Sequence, residues 1–242
     1  LTFAVTLFPV PVPVIGATSH MCATPLLALL LGVRLMVVTT SASLFVQALF
    51  FAHGGLTTLG ANIVSLAVVG PCTALALARL LRLMGAPIWL VIGVSCTCAD
   101  LALYVFDAGV LGAALQGDYS FTYWFSVVLL GFAPVQGPLA LLEGLLSVAL
   151  FHALAQRRPD LIPPWLRDER FVGKHAPVVS TAVGFFLVLL WATPLLGAER
   201  YQGIDETVIS AAAEAAGRPA SPPLFDLGQG ELPLFLFSFG SF

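Results

Sequence analysis

The chain has 242 residues, 59% of them apolar and only 10% charged, with 10 Lys+Arg against 13 Asp+Glu and a formal net charge of -3. A soluble domain carries about 25% charged residues, so a water-soluble globule is excluded and lipid is the expected solvent. Cys 4 is too few for a disulfide scaffold, and no basic stripe is present to displace counterions from nucleic acid.

Apolar runs cover Leu1 to Ile15, Cys22 to Gly32, Val33 to Ala52, Gly60 to Leu81, Pro87 to Phe106, Phe121 to Ala155 and Ala176 to Ala198. In hydrocarbon every backbone polar group must be bonded internally, so these runs read as helices and isolated strands are excluded. The first two are short and are expected to form a shallow, loop-broken hairpin rather than two full crossings. Pro134, Gly137 and Pro138 are expected to break the run from Phe121 into two helices, the second carrying Glu143. The expected fold is an all-α, polytopic transmembrane helical bundle of about six to seven membrane helices, multi-pass in the cell inner (plasma) membrane. Leu1 to Val14 lacks a basic leader and a cleavage site, and Leu234 to Phe242 is too short to cross hydrocarbon. Both ends read as cut, with the first helix missing, so the sequence is expected to be part of a longer membrane protein.

Charge sets the orientation. Arg34, Arg79, Arg82, Arg157, Arg158, Arg167, Arg170 and Lys174 fall in loops that alternate spans place on one side, leaving only Arg200 and Arg218 on the other. The first group is expected in the cytoplasm. His20, His53, the segment from Asp107 to Ser120 and the long loop from Glu199 to Leu232 are then expected on the outer face.

The most distinctive passage runs from Gln47 to Asn62, QALFFAHGGLTTLGAN. An apolar helix delivers His53 to the membrane surface, Gly54 and Gly55 let the backbone turn tightly, and the next helix starts near Thr57 or Thr58. A neutral imidazole on such a turn suits Ni, Co, Cu or Zn, although a His capping a helix at the lipid interface has the same appearance. His20, in ATSHMC with soft sulfur neighbours, fits either a ligand or a plain polar loop. His152 and His175 read as interfacial.

Within the spans, Cys96-Thr97-Cys98 lacks zinc or redox spacing and reads as small apolar packing. Glu143 is costly in a bilayer and needs a partner. It fits a helix-packing anchor, a contact with another subunit or a contact with a transported ion; Asp100, nearer a span's end, raises the same question. Gly173-Lys174 has Asp168 where a Walker A loop needs its first Gly, so any ATP-driven work falls to a partner.

These residues resemble the cobalt/nickel substrate-binding membrane component (CbiM/NikM) of energy-coupling factor transporters. The resemblance rests on Ala17 to His20 and the short helix to Gly32, on Gln47 to Asn62, on Val69-Gly70-Pro71, and on PLALLEGLL from Pro138 to Leu146 ahead of a basic loop. It covers residues 1–198. Residues 199–242 resemble a fused companion subunit (CbiN/NikN): Tyr201 to Glu206 matches its acidic start and Leu224 to Leu232 the approach to its second helix. The resemblance implies a nitrogen-rich, near square-planar site for transported Co2+ or Ni2+, made by the N-terminal amine, adjacent amide and imidazole of a Met-His start together with the His matching His53. His20 matches a further His of the pattern, and Gly54, Gly55, Thr57 and Asn62 belong to the substrate-site loop. It also implies partners, a transmembrane coupling permease and cytoplasmic ATPase subunits, with no enzyme activity and no cofactor in this chain.

Two other readings use other residues. Gly93-Val94-Ser95 with His152 faintly echoes the Ser-His dyad of an intramembrane serine hydrolase, with Cys96 standing where that motif needs Gly. A structural membrane scaffold needs no site at all.

Overall fold

A computed structural model describes residues 3, 6, 10–12, 17–50, 55–115, 117 and 119–167. The expected span from Ala176 to Ala198, the companion-like tail, His53, Gly54 and His175 lie outside the described residues.

Two three-residue strands, β1 (Val10–Val12) and β2 (Ala17–Ser19), pair antiparallel with Val10 opposite Ser19. This corrects the helical expectation for the first apolar run, since part of it is a ribbon. Short strands survive here because each satisfies the other and protein covers them: Val12 and Ser19 are buried. Helix α1 (Thr24–Leu31) follows and ends at Gly32, whose φ of 83° suits glycine. Eight residues span only about 12 Å, so ribbon and α1 together form the expected loop-broken hairpin.

Among the described residues, helix α2 (Val33–Phe50) is the first long enough to cross. The next span is composite: α3 (Gly55–Ile63), a π-helical segment (Val64–Val69) and α4 (Gly70–Leu83) run on without a gap. Its widening has a local cause. Pro71 has no N–H for the Ala67 carbonyl and its ring crowds that carbonyl, and the turn just before it opens so that Gly70 N–H bonds Ser65 O, five residues back. Helix α5 (Ile88–Ala114) leads into α6 (Phe121–Arg157), which Ser120 caps by accepting the Tyr123 N–H.

Helix α6 corrects a second expectation, because it runs unbroken through Pro134 and Pro138. A proline costs a helix one hydrogen bond, but packing on both sides of the proline can hold a membrane helix together. Packing on α5 does so here. A Cβ on Gly112 would come within 3.0 Å of Phe125 N, and one on Gly144 would collide with Thr97 Oγ1 and stand 2.8 Å from Gly93 O. The 37 residues of α6 extend about 55 Å, well beyond about 30 Å of hydrocarbon.

Four helices among the described residues are long and apolar enough to cross a membrane: Val33–Phe50, Thr58–Leu83, Ile88–Ala114 and Phe121–Arg157. Their order sets Arg34, Arg79, Arg82 and Arg157 at one end of the bundle. Two apolar cores stack along it. One, with Leu29, Ala78, Val91, Ile92 and Phe151, lies toward the arginine end; the other, with Val12, Leu44, Leu66, Leu103 and Phe132, lies toward the opposite end. Outward-facing Val38, Phe50, Leu130 and Leu141 are exposed, a coat suited to acyl chains.

Candidate metal centre

Between the two apolar cores lies a buried polar layer of Ser19, Asp100, Gln136 and Glu143. It is built around the turn that joins β2 to α1. Ala23 takes φ 55°, the only described non-glycine residue in the left-handed region. That conformation costs an L-residue about 1–2 kcal/mol. It also leaves two consecutive N–H groups facing one carboxylate: Cys22 N donates to Glu143 Oε2 at 2.7 Å and Ala23 N to Oε1 at 2.9 Å. Hydrogen bonds to a charged group contribute about 1.5–3 kcal/mol each, which offsets the strained turn. No side chain of the turn caps α1, and Glu143 supplies the negative charge its N-terminus favours. The contacts of Glu143 are those of an anchor between α6 and this turn.

The second buried carboxylate leads to His20. Asp100 Oδ2 accepts from Gln136 Nε2, and Ser19 Oγ donates to Gln136 Oε1 and stands 3.2 Å from Tyr104 Oη. Tyr104 Oη accepts the His20 N–H at 3.1 Å and donates to the His20 carbonyl at 3.3 Å. The imidazole Nδ1 stands 3.3 Å from Met21 O and 3.8 Å from Cys22 Sγ.

This corrects the expected position of His20. The sequence puts it in an outer loop, yet its backbone is held by Tyr104, which precedes the end of α5 at Ala114 by ten residues, or about 15 Å. Irregular backbone is tolerated that deep only where protein satisfies it, and Tyr104 and Glu143 do so.

Cys22, Asp100 and Glu143 are all buried and offer ligand atoms within 4.8 Å of one another. Two ionised carboxylates no more than 4.8 Å apart repel by about 3 kcal/mol or more at an effective dielectric constant near 20. Asp100 Oδ1 has no hydrogen-bond partner.

The other expected residues lie elsewhere. Gly55 and Thr57 fall on α3, as does Asn62, whose Nδ2 donates to Thr58 Oγ1 at 3.5 Å. The structure joins His20 and Glu143 through Cys22. The hydrolase dyad does not form: Ser95 Oγ is buried without a partner, while His152 Nε2 lies 3.0 Å from Gln156 Nε2, and an activated nucleophile needs its base within hydrogen-bond reach. His152 is buried, not interfacial as expected. Tyr104 and Gln136 join the site without a motif to announce them; their signal in the sequence is polarity inside apolar spans, which in a membrane marks a bundle-facing partner.

A family model described as "CbiM: Cobalt uptake substrate-specific transmembrane region" matches residues 1–161. Cobalt transport protein CbiM of Geobacter sulfurreducens is 37% identical over 242 residues, 98% of this chain and 70% of that protein. The protein of the same name from Sorangium cellulosum is 42% identical over 160 residues, 66% of this chain and 71% of that protein. A crystal structure of a transition metal transporter superposes with a TM-score of 0.54 at 22% identity, covering 63% of this chain and 70% of that one, a likeness of fold.

Proposed function

We propose a function from one premise: the chain belongs to the CbiM family of cobalt uptake substrate-specific transmembrane regions. It is a multi-pass membrane component of cobalt uptake. Its role is to capture Co2+, and by the same nitrogen chemistry Ni2+, and to pass the ion to a transmembrane coupling permease driven by cytoplasmic ATPase subunits of an energy-coupling factor importer. Residues 199–242 serve as the fused companion subunit.

The observation that carries this reading is the buried turn bearing His20. Its backbone is hydrogen-bonded on both sides by Tyr104, so the imidazole is held on a rigid support inside the bundle. Ligands positioned before the metal arrives lose little entropy on binding, which suits a high-affinity capture site. His20 supplies one imidazole. His53, which precedes in sequence the helix carrying Gly55, Thr57 and Asn62, supplies the second.

Radiocobalt uptake by cells expressing the chain with its transporter partners tests the reading. His20→Ala and His53→Ala should each lower uptake at least tenfold at unchanged membrane abundance, and excess nickel should compete. Wild-type uptake in both variants would overturn the site, and uptake independent of the ATPase subunits would overturn the coupling.

A further inference from the structure

We infer that the chain carries a second metal site beneath His20, formed by the Cys22 thiolate and the carboxylates of Asp100 and Glu143. Three elements meet there: the turn before α1 brings Cys22, α5 brings Asp100 and α6 brings Glu143. All three side chains are buried, and one ligand atom from each lies within 4.8 Å of the others.

Charge and hydrogen bonding point to a cation. Asp100 has no exposed surface, one of its oxygens is bonded to Gln136 and the other is unpartnered. Glu143 uses both oxygens on backbone N–H groups, which neutralise part of its charge and leave further lone pairs open. Among the described residues no Lys or Arg pairs with either carboxylate; the ion pair that does form joins Arg158 to Asp160 at the end of α6. Two acids at this depth without a counterion make a place where a bound positive charge is worth most.

Spacing suits a divalent metal. Three ligands at about 2.0–2.3 Å from one ion stand roughly 3.3–4.0 Å from one another, so the donors, now within 4.8 Å, close by up to about 1 Å when the ion binds. A thiolate with two carboxylates is a mixed soft and hard set that favours cobalt or zinc over calcium or magnesium. The thiol gives up its proton when the metal binds. His20 Nδ1, 3.8 Å from Cys22 Sγ, places the capture imidazole directly beside this site, as a stepwise transfer into the membrane requires. The identity of the ion as cobalt rests on the cobalt-uptake reading above; the existence of the site does not.

Titration of the full chain in nanodiscs with Co2+ alone, followed by near-ultraviolet absorption, tests the inference. A thiolate-to-cobalt charge-transfer band should appear, vanish in Cys22→Ser and require at least tenfold more cobalt in Asp100→Asn. It should persist in His20→Ala, and in a chain whose Cys72, Cys96 and Cys98 are replaced by Ala. No band in the wild type, or an unchanged band in Cys22→Ser, overturns the second site. Normal radiocobalt uptake in His20→Ala together with an intact band overturns the capture role of His20 and leaves the second site standing.

Discussion

The carboxylate of Glu143 receives the backbone N–H of Ala23, 120 positions earlier in the chain, at 2.9 Å. Ala23 is also the residue in left-handed conformation, so bond and strain share one location. Removing the carboxylate removes the reason for the turn. Glu143→Ala should destabilise the protein by about 3 kcal/mol, since two charge-assisted bonds disappear and two N–H groups stay buried. Glu143→Gln keeps one acceptor oxygen and should cost about half as much. Thermal unfolding in detergent gives both values; equal stability of Glu143→Ala and wild type would mean the anchor contributes nothing.

Tyr104 holds both the N–H and the carbonyl of His20 through a single hydroxyl. In Tyr104→Phe the ring remains packed edge-on against Phe132 and only that hydroxyl is lost. Cobalt affinity should fall about tenfold, equivalent to about 1.4 kcal/mol, with little change in fold. Calorimetric titration of the two proteins measures it, and unchanged affinity would separate the turn from metal capture.

Gly144 faces Thr97 Oγ1 and Gly93 O so closely that a Cβ has no room. Gly144→Ala should therefore push α5 and α6 apart and destabilise by about 2 kcal/mol. Gly144→Ala combined with Thr97→Gly should recover part of the loss, because one of the two obstacles is gone. Full additivity of the two changes would mean that they do not meet.

The arginine end of the bundle should face the cytoplasm, because positive residues are retained there during insertion. Met84, between α4 and α5, and Tyr119, before α6, are both exposed. In an otherwise Cys-free chain, an impermeant thiol reagent applied to intact cells should label Tyr119→Cys and spare Met84→Cys. The opposite pattern would invert the topology.

What the sequence made legible was what apolar run length reports. The helices at Val33–Phe50 and Ile88–Ala114 follow from uninterrupted hydrophobicity, and the shallow hairpin before them from runs too short to cross. Three features were hidden for separate reasons. The unbroken α6 depends on packing against Gly112 and Gly144 that no local pattern shows. The ribbon at Val10–Val12 lies in an apolar run whose length suggests a helix although Pro9, Pro11 and Pro13 oppose one, and its pairing needs the partner strand, which lies beyond the local pattern. The depth of His20 depends on Tyr104, 84 residues away. Of the site, His20 and Glu143 were legible as isolated chemistry, but their connection through Cys22 was not, because three separate elements create it.

The π-helical segment at Val64–Val69 gives the composite span two faces. Each wide turn holds back part of the usual rotation per residue, so the stripe that α3 presents is out of phase with the stripe of α4. The α3 half turns its contact surface to α2, and the α4 half turns its own to α1 and α5. One continuous rod thereby engages different neighbours at its two ends, as a twisted key engages two wards of a lock. Deleting one residue from the segment would restore regular α-helical turns and rotate one half by about 100° relative to the other. That half would then offer its neighbours a surface meant for lipid.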